Sequence, residues 1–444
     1  MTRLPAGFVL GVATAAYQIE GAVREEGRQA SIWDTFSHTP GRVLNGDTGD
    51  IACDHYHRWQ ADVALMRELG VHAYRFSVAW PRILPDGGQS VNTAGLDWYD
   101  RLVDGLLAAG IQPWATLYHW DMPQPLEDAG GGPARATADA FVRLTEVVAR
   151  RLGDRVQNWI TLNEPWCSAF LGYLTGEHAP GRRDLRLALS ASHTLLLAHG
   201  RAVEVLRATC PDARVGISLN PRDVQPASSD PADVAAAERF DGYLNRWFLD
   251  PIFGRGYPAD MLEQYNGAFQ PPSPADLETI AAPIDFLGVN YYNPHLVRAN
   301  RSDPILGATT VRPSREAVTE MGWIVRPSSL RALLRRLAHD YPVRELVVTE
   351  NGAAYADPGP RNGRVADPQR TRYLAEHLAA AAEAIADGVP LAGYFAWTLL
   401  DNFEWAWGFS RRFGLVHVDF ASQRRTLKDS AHWYRRFIAE TAGA

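Results

Sequence analysis

Short apolar runs that end on polar side chains recur along the chain. Val347-Val348-Thr349 runs into Glu350-Asn351-Gly352, so the pattern predicts a buried parallel strand that ends on a carboxylate and turns on an Asn-Gly pair. The run from Val156 to Leu162 has the same grammar: it ends on Asn163-Glu164 and is stopped by Pro165. Six more runs read as strands, at Phe8 to Thr14, Ala73 to Ser77, Gln112 to Tyr118, Val215 to Asn220, Ile284 to Asn290 and Leu391 to Thr398. Helical spacing fills the intervals, at about Asp54 to Leu69, Leu96 to Ala109, Ala138 to Arg151, Asp184 to Ala208, Ala232 to Phe248, Ser328 to Ala338, Gln369 to Ala386 and Lys428 to Thr441. Strands alternating with helices, without a second composition regime or a charged linker, predict an α/β fold, a single (β/α)8 TIM barrel over residues 1–444. A doubly wound sheet would need a Gly-rich turn after an early strand, whereas Gly130-Gly131-Gly132-Pro133 follows no strand and reads as a loop. Gln270 to Pro274 and Ala299 to Arg315 read as surface insertions.

A barrel gathers the C-terminal ends of its strands on one rim, where its chemistry is placed. The rim predicted here carries Gln18 and Glu20, Arg75, Tyr118-His119-Trp120-Asp121, Asn163-Glu164, Asn220, Asn290-Tyr291-Tyr292, Glu350, and Trp397 leading to Glu404-Trp405. Hydrogen-bonding amides, carboxylates and indoles on one rim suit a sugar. Two glutamates brought together from residues 164 and 350 supply what glycoside hydrolysis needs. Each residue alone has a structural reading: Arg75 in an ion pair, His119 as a core imidazole, Tyr292 or Trp397 in packing.

Composition narrows the picture. The 444 residues are 46% hydrophobic and 21% charged, which excludes disorder. The net charge of −7 and the scattered arginine pairs exclude a nucleic-acid stripe. Three cysteines, Cys53, Cys167 and Cys210, cannot form a disulfide framework and favour a reducing compartment. The apolar stretch from Leu4 to Ala16, broken by Gly7 and Gly11, reads as the first strand rather than a signal peptide, and no run reaches the roughly 18 apolar residues of a membrane helix, so a cytoplasmic location is expected. Cys53, His55 and His57 diverge at a helix start and are not expected to bind metal; no cofactor is expected, and no G-x-S-x-G elbow occurs. Fourteen tryptophans exceed ordinary usage; about half are expected in the core and the rest against sugar rings.

Seven stretches in order resemble family 1 of the glycoside hydrolases, the β-glucosidase family, from Phe8 to about Phe437: YQIEG at Tyr17, YRFSVAWPR at Tyr74, LYHWDMPQPL at Leu117, TLNEP at Thr161, VNYY at Val289, VTENG at Val348 and DNFEW at Asp401. The resemblance implies a retaining β-glycosidase with Glu164 as general acid/base, starting protonated, and Glu350 as an ionised nucleophile. It implies that Arg75 and Tyr292 keep Glu350 charged and that Asn163 bonds the sugar 2-hydroxyl. Gln18, His119, Trp120, Asn290, Glu404 and Trp405 would hold the rest of the non-reducing sugar over Trp397, and Trp323, Trp166, Cys167, His178 and Asn220 would line the leaving-group side. The implied substrates are small β-glycosides such as cellobiose, with glucosides first and fucosides or galactosides as further candidates; monomer and homo-oligomer stay open. Two residues depart from the family pattern: Leu10 stands where an aromatic is usual, and Cys167 borders the leaving-group site. Three alternatives remain: a 6-phospho-β-glycosidase, disfavoured because Glu404 would repel a phosphate although Arg411 and Arg412 are near; a silent glycan-binding barrel; and a transglycosylase using the same intermediate.

Overall fold

The computed structural model describes residues 4–442 apart from Pro271 and Arg315. Eight parallel strands close into a barrel in sequential order: β1 Val9–Ala13, β2 Ala73–Ser77, β3 Gln112–Tyr118, β4 Asn158–Asn163, β5 Arg214–Leu219, β6 Phe286–Asn290, β7 Leu346–Asn351 and β8 Leu391–Trp397. Closure runs through β1, which pairs with β2 from Gly11 opposite Ala73 and with β8 from Val9 opposite Gly393 to Ala13 opposite Trp397. Nearly all strand residues are buried, because helices cover one face and the barrel core the other; hence the continuous apolar runs rather than alternation. Trp114, Phe286 and Phe395 fill the interior with ring centroids 5.1–5.2 Å apart. Gly11 makes room for them, since a Cβ there would lie 2.5 Å from the Phe395 ring.

The helices form where expected, to within a few residues. Arg135–Leu152 buries Ala138, Phe141, Leu144, Val148 and Leu152, one stripe at helical spacing. It packs on Leu185–Thr209, whose free N-terminal amides at Arg186 and Leu187 donate to the Asp184 carboxylate. Pro327 and Pro368 open the helices Pro327–Asp340 and Pro368–Ala386, where a missing N–H costs nothing.

Three stretches differ from expectation. The helix expected over Ala232 to Phe248 is Pro231–Asp241, a π-helical turn at Gly242–Arg246, and Trp247–Ile252. The Ala299 to Arg315 region is not simply an insertion: His295–Ala299 pairs antiparallel with Ala308–Val311 and parallel with Val224–Pro226. The turn between them holds because the Asp303 carboxylate accepts the N–H groups of Ile305, Leu306 and Gly307. Pro274, at the end of the other presumed insertion, opens a helix over Pro274–Ile280 capped by Ser273; Pro271 and Arg315 lie outside the described residues. Among the described residues, no helix is long and apolar enough to cross a membrane.

Candidate active site

Glu350 is the second-last residue of β7, beyond a register shift against β6 that sets it opposite Asn290. Its two oxygens have different partners: Arg75 Nη1 donates to Oε1 at 2.6 Å and the Tyr292 hydroxyl donates to Oε2 at 2.6 Å. Arg75 also donates from Nε to Thr116 Oγ1 and from Nη2 to Asn163 Oδ1. The close approach of β7 to β8 just beyond Glu350 requires Gly352, since a Cβ there would sit 1.7 Å from the Trp397 carbonyl oxygen.

Glu164 follows Asn163 with φ at +45°, a left-handed turn that lets two consecutive side chains serve the same end of the barrel instead of opposite faces. Trp120 and Trp405 also have positive φ, at 75° and 51°. Non-glycine residues held there cost on the order of 1–3 kcal/mol each and cluster at working sites.

The hydrogen bonds between the glutamates have only one consistent polarity. Arg75 can only donate, so Asn163 Oδ1 must accept, and the Asn290 amide facing that oxygen must be Nδ2. Asn290 Nδ2 then donates both to Asn163 Oδ1 at 2.9 Å and to Glu164 Oε1 at 2.7 Å, while its own Oδ1 accepts from Thr349. Asn163 Nδ2 consequently faces His119 Nε2 at 3.0 Å as donor, which puts the imidazole proton on Nδ1, a buried atom without a partner among the described residues. Burial and the Arg75 charge hold His119 well below the ordinary histidine pKa, so the ring is neutral. Gln18 Oε1 is likewise buried without a partner. An unpartnered donor and an unpartnered acceptor at this site are what sugar hydroxyls would satisfy.

Burial pushes the Glu350 carboxyl up to about 7, Arg75 pulls against it, and the Glu164 charge adds to the rise. The ionised Glu350 implied by the resemblance therefore has to be held against burial. The donors decide where the negative charge of the pair rests, because Glu350 receives a guanidinium and a phenol while Glu164 receives an amide and a thiol. Glu404 is pushed up to about 8 by burial and by Glu350, against the hydrogen bond from Gln18.

These groups surround a pocket of about 370 Å³ lined by His119, Trp120, Glu164, Trp166, Cys167, His178, Asn220, Tyr292, Trp323, Glu350, Trp397, Glu404 and Trp405 among others. His119 lies parallel to both Trp397 and Trp405, 5.8 and 5.9 Å between centroids. Burial pushes His178 down to about 3, so it too is neutral. Four expected residues are tied into the hydrogen bonds around this pocket. Gln18 donates to Asn402, Phe403 O and Glu404, and Arg75, Asn163 and Asn290 form the layer just described.

Glu20 and Asp121 do not reach the pocket: Glu20 is taken up by Arg82 and Tyr99, and Asp121 is fully buried. Cys53, His55 and His57 point to Asp401 O, Asp62 and the pair Asp54 and Glu25 respectively. Arg412 is paired with Asp401 at 2.7 Å, and Arg411 lies over the Trp407 ring at the rim. Arg222, Met321, Trp407 and Phe413 line the pocket without having been anticipated. Arg222, two residues past the end of β5 predicted at Asn220, donates to Asn220 O and Asn290 O, and its place in the chain was the available signal.

The family model for glycosyl hydrolase family 1 matches residues 1–442. The chain belongs to glycosyl hydrolase family 1. As a family 1 member it is 48% identical over 438 residues to β-glucosidase A of Thermotoga maritima, covering 98% of each chain. It is also 48% identical to a bifunctional β-D-glucosidase/β-D-fucosidase of Bifidobacterium breve, again over 98% of each. Among solved structures, the Thermotoga maritima family 1 glycoside hydrolase complexed with a cyclophellitol analogue transition-state mimic superposes with a TM-score of 0.96 at 47% identity, covering 99% of both chains.

Proposed function

We propose that this family 1 chain is a single-domain retaining β-glucosidase that releases terminal non-reducing β-D-glucosyl residues by two displacements at the anomeric carbon. The observation that carries the reading is the unequal support of two buried glutamates on one pocket, a charged clamp on Glu350 and neutral donors on Glu164. In the first displacement a Glu350 oxygen bonds to the anomeric carbon while the bond to the leaving oxygen breaks and Glu164 gives that oxygen its proton. In the second, water attacks the same carbon, Glu164 takes the water's proton, and the bond to Glu350 breaks. Asn163 has one amide hydrogen beyond the one given to His119, available to the sugar 2-hydroxyl. Gln18 Oε1, His119 Nδ1, Glu404 and Trp405 take the remaining hydroxyls, while Trp120 gives its indole N–H to Asn163 O and Trp397 lies under the ring.

Trp166, Cys167, His178, Asn220 and Trp323 face the leaving group. The bifunctional relative supports fucoside turnover as a second activity, and galactosides and cellobiose belong to the same substrate class. Glu404 inside the pocket and Arg412 tied to Asp401 speak against a sugar 6-phosphate. Three buried thiols without a disulfide support a cytoplasmic location.

The test is Glu164→Ala on two aryl β-glucosides. A poor leaving group, which needs the proton, loses on the order of 10²–10⁴-fold in kcat/KM, and an activated one loses far less. Equal losses on both refute the acid role.

A further inference from the structure

The thiol of Cys167 donates to Glu164 Oε2 at 2.9 Å, and Asn220 Nδ2 approaches the same sulfur at 3.6 Å. Cys167 is three residues beyond Glu164 at the start of the π-helical stretch Cys167–Thr175, four residues past the end of β4, and its sulfur turns back to the carboxyl. The other oxygen, Oε1, faces Asn290 Nδ2, whose hydrogens are committed to Glu164 and Asn163, so Oε1 always accepts. A proton carried by Glu164 therefore sits on Oε2, beside the sulfur. With that proton present Oε2 is a hydroxyl that accepts the thiol's hydrogen only weakly; with it gone, Oε2 is a charged acceptor and the bond strengthens.

We propose that Cys167 is a positioning residue for the acid/base, a hydrogen-bond donor that supports Glu164 more strongly in its ionised form and so helps set the pH at which the acid is lost. The inference rests on the acid/base role of Glu164. The contact tightens as the proton leaves for the departing oxygen and stays tight through the covalent intermediate, until Glu164 takes the proton of water. Burial and the neighbouring Glu164 charge push the thiol's own ionisation well up, so it stays a thiol throughout. The other charged or titratable groups around Glu164 are Glu350 on β7, Glu404 beyond β8, Tyr292 beyond β6, Arg222 beyond β5, Arg75 on β2 and the neutral His119 beyond β3. A change confined to Cys167 leaves all of them in place.

The experiment compares kcat/KM against pH for the native enzyme, Cys167→Val and Cys167→Ser on an aryl β-glucoside with a poor leaving group. Valine fills the space without a donor, so the ionised acid loses support and the basic limb moves up by about half a pH unit. Serine restores a donor and keeps the limb near the native position. A basic limb in Cys167→Val that coincides with the native one, or equal displacement by valine and serine, overturns the proposal. If Cys167→Val fails to fold, Cys167→Ala is read in the same way. Glu164→Gln on poor and activated leaving groups separates the two levels. If it slows both alike, the acid/base reading itself fails; if it discriminates while Cys167→Val leaves the limb unmoved, only the role of Cys167 fails.

Discussion

Tyr292→Phe removes a single oxygen from the wall of the pocket. The ring packs 5.2 Å from Trp323 and 6.1 Å from Phe413, so phenylalanine keeps the shape. What is lost is the 2.6 Å hydrogen bond to Glu350 Oε2, a carboxylate only 3% exposed that water reaches poorly. A hydrogen bond to a charged acceptor contributes about 1.5–3 kcal/mol. The phenol favours the ionised carboxyl, and burial already holds that carboxyl at about 7, so its loss moves the ionisation further up. At 1.36 kcal/mol per unit the displacement is about 1–2 pH units. Hydrolysis needs Glu350 ionised, so the acid limb of kcat/KM moves to higher pH, and at pH 6 the rate falls on the order of 10–100-fold on this arithmetic. The assay is the pH dependence of kcat/KM on an activated aryl β-glucoside, with circular dichroism confirming the fold. An acid limb that stays in place would mean that Tyr292 does not hold the charge of Glu350.

Glu404→Gln separates stability from function. A carboxyl raised to about 8 binds its proton more tightly in the folded state, so stability is present below the unfolded pKa of about 4.5 and falls as pH rises towards 8. At pH 8 the glutamine variant is therefore expected to be more stable than the native chain by on the order of a few kcal/mol, and so to melt higher, while binding glucosides less well; a lower melting temperature contradicts this. Lys428 is fully buried between Asp357 and Asp401, where it ties the loop after Glu350 to the loop before Glu404. Lys428→Met leaves Asp357 with Arg370 and Asp401 with Arg412 as their remaining partners and costs on the order of 2–3 kcal/mol, read from urea unfolding. Gly352→Ala forces a Cβ against the Trp397 carbonyl and should lower kcat at least tenfold with the secondary structure intact, checked by kinetics beside circular dichroism.

The barrel was legible because parallel strands buried on both faces read as unbroken apolar runs, and the two glutamates were legible because each such run ended on a carboxylate next to a turn or a proline. Two things were not. Which groups a polar residue faces at a strand end depends on bulges and positive φ, as at the register shift before Asn163 and the left-handed φ of Glu164. The electrostatic balance was hidden as well, since the upward push on Glu350 comes from enclosure by distant segments, and a motif carries no measure of enclosure. Arg222 and Phe413 escaped for a related reason, being brought to the pocket by loops rather than strands. The strand pairing within the Ala299 to Arg315 region was not read because it depends on Asp303 closing a turn, a local bond that periodicity does not register.

The most direct test of the two-displacement account is the stereochemistry of rescued hydrolysis. Glu350→Gly should have no measurable turnover of aryl β-glucosides, and added azide or formate should restore part of it, entering from the face that Glu350 vacates. Proton NMR of the azide product is then expected to show the α anomer, inverted from the substrate. A β-configured product, or native turnover without any added anion, would contradict Glu350 as the nucleophile.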